Sequence, residues 1–332
     1  MTFIVDERIR ADRNVSVVIS GYSEDRWQNL VAAVESVRLQ NVPPCEIIIV
    51  IDHNQRLLER ARASLADAVV VENREQRGLS GARNSGVKAA RGDVIAFMDD
   101  DAVADPTWLE WLTAAYTDSE VLGVGGGVEP VWAGGRPAWF PEEFDWVVGC
   151  TFRGMPEVPR AVRSLVGCNM SFRRAIFASL GGFRSGMGRL DATPLAGEET
   201  EFCIRAGQLW PRRRWVYEPR AKVYHTVPVR RAGARYFRSR CYAEGLSKIL
   251  IARSVGAGDG LAAERTYTLQ ALPRGVGHGV TDAVVRRDPT GLARAAAIVA
   301  GLTITTAGYI RGMLARPNRS HPPDNGVLTT RY

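Results

Sequence analysis

The sequence predicts an α/β protein built on a largely parallel sheet, with helices flanking the sheet and more helix toward the C-terminus. Two observations carry this. Through the first hundred residues short apolar runs alternate with amphipathic stretches of helical period, the strand, helix, strand rhythm of a parallel sheet. The composition is also ordinary for a globular chain: 332 residues, 45% hydrophobic and 24% charged, which excludes disordered, collagen-like and coiled-coil proteins.

"VSVVISGY" (15–22) reads as a buried strand. Residues 24–40 place Trp27, Leu30, Val31, Val34, Val37 and Leu39 at helical spacing, and Pro43 and Pro44 end that helix. "EIIIVI" (46–51), "AVVVE" (68–72) and "VIAFM" (94–98) are further strands, with helices at 55–66 and 79–90 between them. Past Pro106 a helix runs to about residue 117, and "VLGVGGGV" (121–128) is a strand whose glycines predict close backbone approach. From 130 to 160 periodicity gives way to Pro, Gly and aromatics, including Trp132, Trp139, Phe140, Phe144, Trp146 and Phe152, which predicts a functional loop or wall. A short strand at 168–172, helices at 173–180 and 198–208, an extended segment at 215–225 and a helix at 234–250 follow. Arg294 and Arg311 then bracket sixteen uncharged residues. A bilayer span needs about 20 apolar residues, so a buried or interfacial helix is the first reading and a spanning helix the second.

Residues 1–150 hold 14 basic and 24 acidic groups, and the remainder 29 and 12, so the second half carries the basicity behind the net charge of +7. Clustered Arg could face nucleic acid, anionic lipid or phosphorylated substrates, and composition does not choose between them. Cys45, Cys150, Cys168, Cys203 and Cys241 are odd in number and lack a Cys-x-x-Cys pair, which predicts reduced structural thiols. "MTFIVDERIRADRN" turns charged after five residues, unlike a signal peptide, so a cytoplasmic start is expected.

The chemistry concentrates at strand ends. Asp99, Asp100 and Asp101 close an apolar strand, and three adjacent carboxylates need a cation, hydrogen-bond donors or bulk solvent to compensate them. The carboxyl ends of strands in an open α/β sheet are where ligands bind. A divalent Mg²⁺ or Mn²⁺ shared with substrate phosphates would compensate the triplet, which implies a diphosphate partner; a solvated turn or helix cap is the plainer reading. Asp52 closes the second strand and can accept from a base N–H or ribose hydroxyl, or cap the next helix. Gly78, Gly81 and Gly86 with Arg83 and Asn84 surround a helix start suited to an anion. Glu198, Glu199 and Glu201 follow Gly197 at another helix start, where a carboxylate can remove a proton from a hydroxyl or complement the helix dipole. His225 ends an extended segment, more often a structural position than a ligand.

In order and in kind these strings resemble the family 2 glycosyltransferases of GT-A fold, a Rossmann-like, mostly parallel sheet flanked by helices. The resemblance spans about residues 14–226 through "VSVVISGYSEDR", "EIIIVIDHN", "RGLSGARNSGVKAARGDVIAFMDDDA", "VGCNMSFRR", "LGGF" and "GEETEFCIR". It implies a nucleotide-sugar half at 1–128 and an acceptor half at 129–230 of one domain, then a helical, membrane-associated extension at 231–318 and a disordered tail at 319–332. Carried over by position, Asp52 would meet the nucleobase, Asp99 the ribose or metal, and Arg83 and Asn84 the diphosphate or ribose, with Ser20, Tyr22 and Asp100 on the same donor side. Asp101, with Asp99 and with His225 of "KVYH", would hold Mg²⁺ or Mn²⁺, and Glu199 would be the catalytic base. Glu198, Asn169 and Trp139 would face the acceptor.

Two positions depart from the family pattern: Ile51 precedes Asp52 where a second Asp is usual, and Glu198-Glu199 replaces Glu-Asp, lengthening the base by one methylene. Gln208 lies seven positions before Trp215, unlike the string of processive members, so single addition is expected. The implied reaction is inverting transfer from a nucleotide-diphosphate sugar to a glycan or lipid-linked acceptor in cell-envelope assembly. It would take place in the cytoplasm or at the inner face of the membrane, with peripheral contact to anionic lipid and no nucleic-acid partner. The alternative is a catalytically silent sugar-nucleotide-binding or assembly protein. A sugar nucleotidyltransferase would need a Gly-rich basic loop after the first strand, where "SGYSEDR" has one Gly and two acids.

Overall fold

Four strands, β1 (Val15–Gly21), β2 (Glu46–Ile51), β3 (Val69–Glu72) and β4 (Val94–Asp99), pair in parallel in the order β3-β2-β1-β4. They belong to a computed structural model that describes residues 14–185, 197–256 and 267–315. The disordered tail expected at 319–332 lies outside these residues. Successive side chains on a strand point to opposite faces, and on β1, β2 and β4 both faces are covered, while β3 is a part-exposed edge. Val15, Val17, Ile19, Ile49 and Ile51 pack with Leu30, Val34 and Leu57 of α1 (Trp27–Arg38) and α2 (Gln55–Ser64). Val18, Ile48, Val50, Ile95 and Phe97 face α3 (Leu79–Ala89) on the other side. That double coverage is why these strands read as unbroken apolar runs. Gly86 lets α3 touch β1, since a Cβ there would meet Val18 Cγ1 at 2.4 Å.

Past β4 the sheet becomes mixed, continuing through one further path of strands among the described residues: β4-β8-β6-β9-β5. These are β5 (Ala102–Ala104), β6 (Val121–Trp132), β8 (Asn169–Arg173) and β9 (Arg214–Val227), with β7 (Arg160–Val162) paired to β9. One continuous sheet thus joins the two halves, and β6 runs across residue 128. The glycine run of β6 permits the predicted close approach: a Cβ on Gly126 would fall 1.8 Å from the Ala221 carbonyl oxygen. Helices α4 (Trp108–Ala114), α5 (Ala175–Leu180) and α6 (Glu198–Leu209) complete the layers.

Most element positions follow the sequence expectations within a few residues, but the stretch expected to be a loop holds a 3₁₀ helix at Glu142–Val148, and β7 beside it was not anticipated. The helix expected to start at 24 opens with a 3₁₀ turn at Glu24–Arg26. The three-residue β5 was not anticipated, because it is too short for a pattern and exists only by pairing with β9. At the C-terminus α7 (Ala234–Val255) is followed by an unanticipated α8 (Leu272–Val285), and the uncharged run lies within α9 (Thr290–Leu314), which is nine residues longer than that run. Packing on α7 and α8 extends α9 past both flanking arginines.

Gly126→Val should cost at least about 1–3 kcal/mol from overpacking against backbone. Thermal unfolding should show a melting temperature lowered by several degrees; an unchanged one would contradict the contact between β6 and β9.

Candidate active site

Strand order reverses around β1, whose neighbours are β2 on one side and β4 on the other, and the crevice of an open α/β sheet lies beyond the strand ends at such a point. There Ser20, Tyr22, Asp52, Asp99 and Asp100 line a pocket of about 100 Å³ together with Arg26, Arg77 and Gly78. Asp52 accepts from Asn73 Nδ2 at 2.6 Å and from the Gly78 N–H at 2.9 Å, so its carboxylate is held still. The helix cap considered for Asp52 falls instead to Asn54, whose Oδ1 accepts from the Leu57 N–H at 3.0 Å.

Asp99 ends β4 partly exposed, whereas Asp100 and Asp101, 2% and 4% exposed, form a buried turn before β5, so bulk solvent does not compensate those two. Side chains do. Arg26 reaches Asp100 at 2.5 Å and also pairs with Asp101. Because β5 pairs Ala102 with His225, His225 Nε2 comes within 3.2 Å of Asp101 Oδ1, and Arg231 stands 4.0 Å from its Oδ2. Burial pushes Asp100 up to about 8, aided by Asp101 and Asp99 and opposed by Arg26. For Asp101 burial also pushes upward, but His225, Arg26 and Arg231 together outweigh it and hold the carboxyl below the usual range.

These residues fit a divalent cation. Asp99, His225 and Cys168 offer atoms all within 4.8 Å of one another, and Asp100 Oδ2 is buried with no hydrogen-bond partner among the described residues. Carboxylate oxygen and imidazole suit Mg²⁺ or Mn²⁺. Burial raises the Cys168 thiol far above its ordinary range, which keeps it neutral and a poor ligand.

Asp99 and Leu79 also line a second, larger cavity of about 420 Å³. Its wall includes Glu199, His225, Arg163, Arg231, Arg240 and Lys248, and the aromatics Phe144, Trp146, Phe152 and Tyr267. Arg83 crosses beneath it: the guanidinium donates to Glu198 at 2.5 Å, to the Gly167 carbonyl at 2.8 Å and to Asp99 at 3.4 Å. Burial and the neighbouring Glu198 raise Glu199 well above the ordinary carboxyl range, against the pull of Arg83.

Of the sequence-predicted residues, Ser20, Tyr22, Asp52, Asp99 and Asp100 share the small pocket, while Glu198, Glu199, Arg83 and His225 share the large one with Asp99. Four line neither pocket. Asp101 is enclosed by Arg26, His225 and Arg231. Asn84 bonds both the N–H and the carbonyl of Phe183. Asn169 donates to the Gly127 and Ala221 carbonyls and accepts from Trp108 Nε1. Trp139 packs on Phe140 and Phe237, while Trp146 and Phe152 of the same stretch reach the cavity. Sequence reasoning passed over Arg26, Arg231 and Cys168. Arg26 ends the quoted "SGYSEDR" loop and Arg231 ends a basic pair, but only folding brings either to the triplet.

A model of glycosyl transferase family 2 matches residues 16–181. The chain is similar to a glucosyl-dolichyl phosphate glucuronosyltransferase of Haloferax volcanii, 37% identical over 238 residues that cover 70% of this chain and 76% of the relative. A pre-mycofactocin glycosyltransferase of Mycobacterium tuberculosis is 29% identical over 160 residues, 48% of this chain and 32% of that one. A mannosyltransferase from Pyrobaculum calidifontis, solved with GDP-Man and Mn²⁺, shares the fold at a TM-score of 0.56 and 16% identity, covering 89% of this chain and 88% of that one.

Removing one member of a buried ion pair strands the other charge. Glu198→Ala should therefore lower stability by about 3 kcal/mol in urea unfolding, and the Arg83→Met, Glu198→Leu pair by less. Equal stability of Glu198→Ala and the parent would show that the pair carries no such role.

Proposed function

This chain belongs to glycosyltransferase family 2, and on that premise we propose that it transfers a sugar from a nucleotide-diphosphate donor to a hydroxyl of a lipid-phosphate-linked acceptor, with inversion. The observation that carries the reading is the position of Asp99 in the walls of both cavities. A donor whose nucleoside fills the small pocket near Asp52, Ser20 and Tyr22 presents its diphosphate at the acidic turn and its sugar to the large cavity, where Glu199 stands.

Asp99, Asp101 and His225 would hold Mg²⁺ or Mn²⁺, which when bound offsets the charge developing on the diphosphate. Arg26 pairs with Asp100 and Asp101 and would release Asp101 as the donor enters. Glu199 takes the proton of the acceptor hydroxyl while that oxygen bonds to the anomeric carbon. The bond from that carbon to the diphosphate breaks on the opposite face, and the diphosphate leaves with the electron pair. A single displacement inverts configuration.

The acceptor class is supported by two features. The Haloferax volcanii relative is named for a dolichyl phosphate substrate. The large cavity is also lined by Arg163, Arg231, Arg240 and Lys248, the last two sharing Glu244, beside an aromatic wall; these cations and an aromatic face suit a phosphate and a sugar ring. Work at the cytoplasmic face is supported by the cysteines, all five of which are free thiols.

Glu199→Gln should lower turnover by about 10²- to 10⁴-fold while leaving donor affinity in calorimetry intact; near-full turnover would remove Glu199 as the base. Because the raised carboxyl must be ionised to act, kcat should fall as pH drops through a midpoint above the ordinary ~4.3, and a limb at or below that value would contradict the assignment. Chelation should abolish turnover and Mn²⁺ restore it in the parent but not in Asp101→Ala; metal-independent turnover by the parent would refute the cation's role.

A further inference from the structure

Helix α9 is arranged inside out for a helix in water. Its buried positions are Gly291, Ala295, Ile298, Gly301, Gly308 and Gly312. Its exposed positions include Leu292, Val299, Ile310, Met313 and Leu314, each 50% to 75% exposed. A helix on a soluble core turns its large apolar side chains inward. Here the glycines bring backbones together instead: a Cβ on Gly308 would lie 2.2 Å from the Tyr242 carbonyl of α7, and one on Gly291 2.3 Å from the Gly279 carbonyl of α8. Small residues between helices and large apolar ones outside is the arrangement of helices packed in lipid.

Charge points to the same occupant. Residues 267–315 hold five basic and two acidic groups, and Arg274, Arg286, Arg287 and Arg311 are exposed. An exposed apolar face on a net-basic helical segment complements an anionic bilayer surface. The neighbours of α9 set its orientation. The middle of α9 packs on α7 at Gly245, where a Cβ would meet the Thr305 carbonyl at 2.1 Å, and the α7 residues around it include the ion-paired Arg240, Glu244 and Lys248. A spanning α9 would carry that cluster into hydrocarbon, at high cost.

We propose that α9 lies along the surface of an anionic membrane with its Leu292, Val299, Ile310 and Met313 face in the lipid. Leu302 and Thr305 of α9 and Leu272 of α8 also line the cavity that holds Glu199, so this seating brings the cavity to the bilayer. The seating stands on α9 alone, and only the delivery of a lipid-linked acceptor rests on the function proposed above.

Flotation of the full chain with vesicles of phosphatidylcholine and phosphatidylglycerol tests it, with pure phosphatidylcholine vesicles as the neutral control. The parent should float with the anionic vesicles, less so at high salt. Val299→Glu with Ile310→Glu should weaken binding by more than about tenfold, with unchanged thermal unfolding and donor affinity. An unbound parent, equal binding by the variant, or a discrete dimer that the variant dissolves would overturn the proposal, as would resistance of the bound parent to alkaline carbonate, the mark of a spanning helix. Vesicle binding without turnover of any lipid-linked acceptor would sink the proposed function and leave the seating intact.

Discussion

Three adjacent carboxylates, two of them buried, are the constraint around which this molecule is organised. Asp100 and Asp101 lose their water on folding while Asp99 stays partly open at the pocket wall, and the crowding must be compensated from elsewhere in the chain. Arg26 brings positive charge from the loop after β1 and Arg231 from the turn that follows β9, while His225 of β9 sets a ring nitrogen against Asp101. The short β5 exists to make this possible: its pairing with β9, together with the Thr226 N–H bonded to the Asp101 carbonyl at 2.8 Å, fixes His225 against the triplet. One oxygen of Asp100 has no hydrogen-bond partner among the described residues, and burial favours the protonated form of that carboxyl.

A second buried charge system lies on the far side of Asp99. Arg83 ties α3 to the first turn of α6 through Glu198 and to the Gly167 carbonyl, and reaches Asp99 as well. Glu198 is thereby committed to the guanidinium, while the adjacent Glu199 lines the cavity. Two neighbouring glutamates thus have different surroundings, one neutralised by a cation and one pushed toward its protonated form by burial and by the first. That separation is what lets one acidic helix start supply both a structural anchor and a group able to exchange a proton at accessible pH.

The C-terminal helices are tied to the same centre through aromatic packing. Tyr267 donates to the Glu143 carbonyl at 2.6 Å and accepts from Trp146 Nε1 at 3.0 Å, and Gly301 of α9 is pressed on the ring of Phe144. The wall of the large cavity and the helix pair beneath it therefore form one packed unit, and a surface that α9 contacts is mechanically close to the chemistry.

The fold class, the order of strands and helices through residue 100 and the positions of Asp52, Asp99 and Asp100 at strand ends were legible in the primary string. Periodicity and apolar runs are local signals, set by which faces of an element are covered. The glycines of β6 were legible for the same reason, since a residue without a side chain in a strand announces close backbone. Trp139 and Trp146 carry the same local signal, yet one packs on Phe237 and the other reaches the cavity, a choice made by neighbours distant in sequence. His225 beside Asp101 followed from the family resemblance, whereas Arg26 at the triplet, Asn169 and Asn84 bound to backbone, and the exposed face of α9 were decided only by tertiary structure. A buried charge or amide takes its role from whichever partner the chain folds beside it, and that partner is chosen by geometry across the sheet rather than by spacing along the sequence.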